Sequence, residues 1–267
     1  MCTVTIVTAR RSASGESDRD SKTDGERVVR MVCNRDELRT RPAALPPVRR
    51  LCGDVPAVMP VDPVSNGTWI GANAAGLVIT LLNVYRGSPS LSTRPVDREL
   101  RSRGEIIPAL LSHPRFEGAL RAAEETNPRD YPPFRLVIAD SHQAVDLLSD
   151  GRSIESRVAR IDEGPVFFTS SGLGDELVEP PRRELFERMF RDRNDPFQVQ
   201  DEFHGHFWPD KLHLSVAMTR AEARTVSRTT VEMFQSRMRM SYTAIEAEGA
   251  GPRREIQIDR LRAELCH

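Results

Sequence analysis

The chain has 267 residues, 39% hydrophobic and 29% charged, with Lys+Arg 38 against Asp+Glu 39. A body of that length buries roughly 70–75% of its unfolded surface, so a sizeable core forms without metals or disulfide staples. A net charge of -1 gives no global attraction to nucleic acid or anionic membrane, and no apolar run approaches the ~20 residues of a transmembrane segment.

From the first residue, Thr3 to Thr8 alternates β-branched residues and predicts a strand, without the basic leader and apolar segment of a secretory signal. The polar run 11–27 predicts an exposed loop. Val28 to Cys33 predicts a second strand, ending at Asn34-Arg35-Asp36-Glu37. The proline-rich segment Arg41 to Pro63 predicts little regular structure. Thr68 to Ala72 and Leu77 to Asn83 then read as a hairpin about Asn73-Ala74-Ala75-Gly76.

The period next becomes helical over Arg103 to Leu111 and Phe116 to Glu125. Short strands are expected at Phe134–Ala139, Ala144–Leu148, Ser156–Ile161 and Val166–Ser170. Pro181 to Arg191 reads as an amphipathic helix with proline near its first turn, and Asp195 to His206 as another. Strands return at Leu212–Met218, Arg224–Met233 and Met238–Ile245, and a polar tail is expected over 247–267. There is no internal repeat, and no GxGxxG or GxxxxGK[ST] supports a Rossmann or P-loop reading. The order of elements favours an α+β layered domain over 1–246.

Four cysteines, at 2, 33, 52 and 266, make neither a CxxC pair nor a disulfide-scaffold spacing, which fits reduced thiols and a cytoplasmic location. Cys2 stands apart. Removal of Met1 would leave a thiol and a free α-amine on one residue, and that pair supplies both nucleophile and base. Asp36 and Asn83 end strands that can meet Cys2 at one sheet edge. Asp36 can hold the amine, and the Asn83 amide can donate to an oxyanion, a role worth about 2.7–4 kcal/mol. Each also has a plainer reading: a cap or turn for Asp36, and the turn into Val84-Tyr85-Arg86-Gly87 for Asn83.

Met1-Cys2-Thr3, Cys33-Asn34-Arg35-Asp36-Glu37-Leu38 with Arg41-Pro42, and Asn66-Gly67-Thr68-Trp69-Ile70-Gly71 with Gly76-Leu77 and Asn83 resemble the NRDE-motif family, the transport and Golgi organisation protein two-like proteins. Ser102-Arg103-Gly104-Glu105 and Gly172-Leu173 through Pro181-Arg182 resemble it as well. That family is similar to the N-terminal nucleophile hydrolases of the choloylglycine and penicillin V acylase type, which implies a four-layer αββα sandwich. By this resemblance Cys2 is the nucleophile, Asp36 sits near its amine, Asn83 forms the oxyanion hole, and Arg228 tunes the thiolate. Asn34, Arg35, Trp69 and Ser170 are expected to bind substrate. Two positions depart from the acylase pattern. Cys33 stands where the acylases have arginine, while Arg35 alternates with Asp36 and points to the other strand face. Thr169-Ser170-Ser171 offers only hydroxyls where a second asparagine is expected.

Other groups have plainer readings. His204-Gly205-His206 and His213 lack a completing carboxylate or cysteine pattern, so no metal and no resident cofactor is expected. Trp69 is expected in the core or a pocket wall. Arg182-Arg183 and Arg188-Arg191-Arg193 read as a solvated helix face with Glu184 and Glu187. The loop from Glu16 to Arg27 can cover the Cys2 site. The first expectation is hydrolysis of a linear amide or thioester of a small acylated or lipid-like molecule through Cys2. The alternative is a non-catalytic carrier of lipid, acyl-CoA or haem on the same scaffold. No nucleic-acid partner and no transmembrane segment are expected, and a homo-oligomer stays open.

Overall fold

The structure is a computed structural model that describes residues 2–11, 25–85, 100–191, 195–246 and 249–261. In chain order its strands are β1 (Cys2–Arg11), β2 (Glu26–Leu38), β3 (Leu45–Cys52), β4 (Val55–Val61), β5 (Ile70–Asn73) and β6 (Val78–Asn83). Helices α1 (Ile106–Leu110) and α2 (Phe116–Glu124) follow a 3-10 turn at Arg103–Glu105. Then come β7 (Phe134–Ala139), β8 (Ala144–Ser149), β9 (Ile154–Ala159) and β10 (Val166–Ser170), followed by helices α3 (Asp175–Phe190) and α4 (Pro196–Gly205). Strands β11 (Ala223–Met233), β12 (Arg237–Glu246) and β13 (Gly249–Asp259) close the chain. Met1, residues 12–24 of the expected loop, Arg86-Gly87, Arg193 and Cys266 lie outside the described residues.

Two antiparallel sheets carry the fold. One has six strands in the order β10-β1-β2-β11-β12-β13, the other seven in the order β3 through β9. Alternation decides what each face meets. Val4 and Ile6 of β1, with Val29 and Met31 of β2, pack against Ile70, Val78, Leu82 and Val137 of the other sheet, all buried. Ile79, Leu136 and Ile138 point the opposite way, onto Ile107, Leu111 and Phe116 of the α1–α2 region. Phe167 of β10 faces Phe186 and Phe203 of α3 and α4, while Val7 and Val28 meet Phe197 of α4. The layers are therefore helix, sheet, sheet, helix, the αββα sandwich expected from the resemblance. Each of these fully buried side chains contributes about 1.5–3 kcal/mol by leaving water.

Three segments differ from expectation. The proline-rich stretch contains β3 and β4: β3 is an edge strand, and its pairing skips a residue between Leu45 and Val48, where Pro46-Pro47 donate no N–H. The expected tail contains β13, whose Ile256 and Ile258 alternate with polar residues and reach the inter-sheet core. Residues 212–218 are turns, not a strand. Their carbonyls at Leu214, Ser215 and Val216 accept from the side chains of Arg182 and Asn34, which removes the need for a ladder. In addition, α3 starts earlier than expected, at Asp175, and runs through Pro180 and Pro181.

Candidate active site

Cys2 opens β1, the second strand of the six-stranded sheet. It pairs with Ser170 of β10 on one side and with Arg35 of β2 on the other. Its backbone N–H donates to the Ser170 hydroxyl at 3.3 Å. The residue is only 4% exposed, yet it lines a cleft of about 280 Å³ with Asp36, Arg35, Trp69 and Asn83. Four of the eight expected site residues thus join Cys2 at one cavity, and Ser170 touches Cys2 from the neighbouring strand.

Arg35 does alternate with Asp36, and the face it turns to is that of Cys2. Its guanidinium lies 4.4 Å from the Trp69 ring centroid and binds Asp62 at 2.6 Å and Glu37 at 3.1 Å. Asp62 was not legible as a site residue, but it organises this wall. It accepts from Arg41 at 2.8 and 2.9 Å and from the Val64 and Ser65 N–H groups at 3.0 Å. Burial alone would raise its carboxyl. The hydrogen bonds from Arg41 and Ser65 and the charges of Arg41 and Arg35 outweigh that and hold it at about 2.

Cys33 shares the Cys2 face one diagonal step along β2, and both thiols are buried. The neighbouring Cys33 thiol holds the Cys2 thiol below its usual range against the opposing effect of burial, with help from Arg35, while the Cys33 S–H donates to the Asn34 carbonyl at 3.7 Å. Cys33 itself is pushed well up, by the Cys2 thiol beside it and by burial.

Asp36 is 2% exposed, and its Oδ1 accepts from the Thr225 hydroxyl at 2.6 Å. Burial raises its pKa, opposed by the charge of Arg182 and by the Thr225 hydrogen bond. Asn83 is partly buried, and its Nδ2 donates to the Tyr85 hydroxyl at 3.0 Å. An amide carries two N–H donors, and among the described residues Tyr85 is the one side-chain acceptor that Asn83 meets.

Two expected site residues belong elsewhere. Arg228 pairs with Asn34 in the β11–β2 ladder, on the sheet face away from Cys2, and its guanidinium lies by α4 near Gly205. Asn34 faces the same way, donating to the carbonyls of His204 and Val216 at 2.8 and 3.2 Å. The cause is strand alternation: Asn34 and Arg228 have the opposite parity to the Cys2 face.

The helix face of the sheet holds a polar network that composition did not reveal. Arg182 is 1% exposed, not solvated, and makes hydrogen bonds to Thr3, Thr169, Leu214 and Ser215 between 2.6 and 2.9 Å. Burial lowers its pKa to about 10, partly offset by the charge of Asp36. His204 is fully buried, with Nε2 2.8 Å from the Thr5 hydroxyl and its pKa far down through burial and the charges of Arg228 and Arg30. Its place is in this network. Among the described residues no cluster of His, Cys, Asp and Glu has metal-site geometry, and no helix is long and apolar enough to cross a membrane.

A family model described as Transport and Golgi organisation 2 matches residues 26–202. No curated protein sequence matches. Among solved structures, a Caenorhabditis elegans N-acylethanolamine-hydrolyzing acid amidase ortholog is similar at 13% identity and a TM-score of 0.54, over 85% of this chain and 91% of its own. Two variants of conjugated bile acid hydrolase from Clostridium perfringens give TM-scores of 0.48 at 10% and 11% identity, covering 87% and 96% of this chain and 89% and 92% of theirs. At 13% identity, the likeness to the acid amidase ortholog shows a shared architecture.

Proposed function

The chain belongs to the Transport and Golgi organisation 2 family, and we propose that this member is an N-terminal nucleophile amidohydrolase acting through Cys2. The substrate is a linear amide, or a thioester, of a small acylated molecule. The mature chain begins at Cys2, and its thiols stay reduced in the cytoplasm. One observation carries the reading: a buried thiol with a lowered pKa sits at the head of a central strand and borders a cleft beside an amide donor and a carboxylate.

In this mechanism the Cys2 sulfur attacks the acyl carbon and the α-amine of the same residue accepts the thiol proton. A free N–H of Asn83 stabilises the oxyanion, where one donor is worth about 2.7–4 kcal/mol. The C–N bond breaks as the amine returns the proton to the leaving group, giving a Cys2 thioester. Water, deprotonated by the same amine, then adds to the acyl carbon and releases the carboxylic acid and the thiol. Ser170 and Asp36 position the amine, and Cys33 favours the thiolate before attack. Arg228 has no part in these steps.

Alkylation with chloroacetamide tests the proposal. Labelling is expected at Cys2 well above Cys52, at a rate lost in Cys2→Ala. Equal labelling of both would exclude an activated thiol. A haem Soret band that survives Cys2→Ala, with no activated thiol, would point to the carrier function.

A further inference from the structure

The cleft wall carries four arginines, and three are engaged by carboxylates. Arg35 and Arg41 both hold Asp62, and Arg101 pairs with Glu105 at 2.5 Å. Arg103 differs. Its Nη1 donates to the Pro133 carbonyl at 2.8 Å, and among the described residues no carboxylate lies within ion-pairing distance. A guanidinium has five N–H donors in a planar fork, and among the described residues only one of these is taken up. Burial lowers its pKa, and the one group acting in the other direction is Tyr85. A half-buried cation without a counter-charge is costly to keep, and a ligand that supplies the charge recovers that cost.

The position of Arg103 is built in. The Thr68 N–H donates to the Gly104 carbonyl at 3.0 Å, and a Cβ on Gly67 would lie 2.7 Å from the Gly104 backbone. Two glycines in contact thus clamp the Arg103 turn to the loop between Asp62 and Trp69, on the wall of the cavity that Cys2 also borders.

We infer that the substrate carries an anionic group, a carboxylate or a phosphate, and that Arg103 holds it while the acyl carbon lies at Cys2. The second clause rests on the hydrolase reading; the anion preference does not.

The test measures binding to the full chain with Cys2→Ala, by calorimetry, for three probes: N-hexanoyl-β-alanine, N-hexanoyl-O-phosphoethanolamine and neutral N-hexanoylethanolamine. At least one anionic probe is expected to bind tenfold or more tighter than the neutral one, and the stronger of the two identifies the charge carrier. Adding Arg103→Gln should abolish the preference and Arg103→Lys should keep part of it. Equal binding of all three probes, or a preference that survives Arg103→Gln, overturns the inference. Should Arg103→Gln fail to fold, the Arg103→Lys protein and a sodium chloride series decide: a preference unchanged by both overturns it too. Failure of Cys2 to alkylate sinks the hydrolase reading and leaves this binding result intact.

Discussion

Cys33 lies diagonally across the β1–β2 ladder from Cys2 on the same sheet face, and its neighbouring thiol is the main influence lowering the Cys2 thiol against the opposing effect of burial. Replacing it by alanine removes the neighbouring thiol but keeps the strand. In Cys33→Ala the midpoint of the Cys2 alkylation rate against pH should therefore move upward, with slower labelling at neutral pH. An unchanged profile would show that Cys33 only fills space.

Asp62 joins the two arginines of the cleft mouth to its own loop. Asp62→Ala leaves Arg35, itself 5% exposed, without its main partner, and should cost about 3–5 kcal/mol in urea unfolding. The pH dependence has a definite sign. The folded carboxyl, at about 2, is below its value of about 3.9 in the unfolded chain. Its stabilisation is fully present above about pH 4 and is lost as the pH falls through about 2. Wild type should show this acid loss between those limits, and Asp62→Asn should lack that component.

His204 gives the opposite kind of titration. It is buried neutral in the fold and takes a proton in the unfolded chain below about 6.5. Stability should rise with pH up to that value and then level, with a limiting slope of about 1.4 kcal/mol per pH unit from this residue. Unfolding free energies from pH 4.5 to 7.5 should show the slope in wild type and a shallower one in His204→Gln.

Gly67 cannot accept a side chain without displacing backbone at Gly104. Gly67→Ala is expected to cost about 1–3 kcal/mol through overpacking, read as a lower urea midpoint at unchanged m. It should also disturb the cleft, seen as slower alkylation of Cys2.

Much of this was legible in the residues. β1, the hairpin of β5 and β6, and β7 follow from β-branched runs and a turn ending in Gly76, whose φ of 95° suits glycine. Cys2, Asp36 and Asn83 do line one cleft, but not at the edge of one sheet as their strand ends suggested: Asn83 arrives on β6 of the seven-stranded sheet, opposite Cys2 and Asp36 of the six-stranded one. What escaped depended on neighbours. Pro46-Pro47 looked like a break, but an edge strand has a side that needs no donors. Arg182 looked solvated because one helix cannot show that Thr3 and Thr169 arrive from other strands. Arg228 was matched by its place in the chain, whereas its strand parity against Asn34 puts it on the helix side. Asp62 makes its contacts to Arg35 and Arg41 across more than twenty residues, beyond the reach of local pattern.

The central claim concerns one atom, the Cys2 sulfur, acting with its own amine. Intact-mass spectrometry of the purified protein after brief exposure to penicillin V tests it most directly. The account predicts a chain lacking Met1 and carrying a single phenoxyacetyl thioester mapped to Cys2, with 6-aminopenicillanic acid released from the cleaved linear amide. A chain that retains Met1, or an adduct that forms elsewhere while Cys2 stays unmodified, would contradict it.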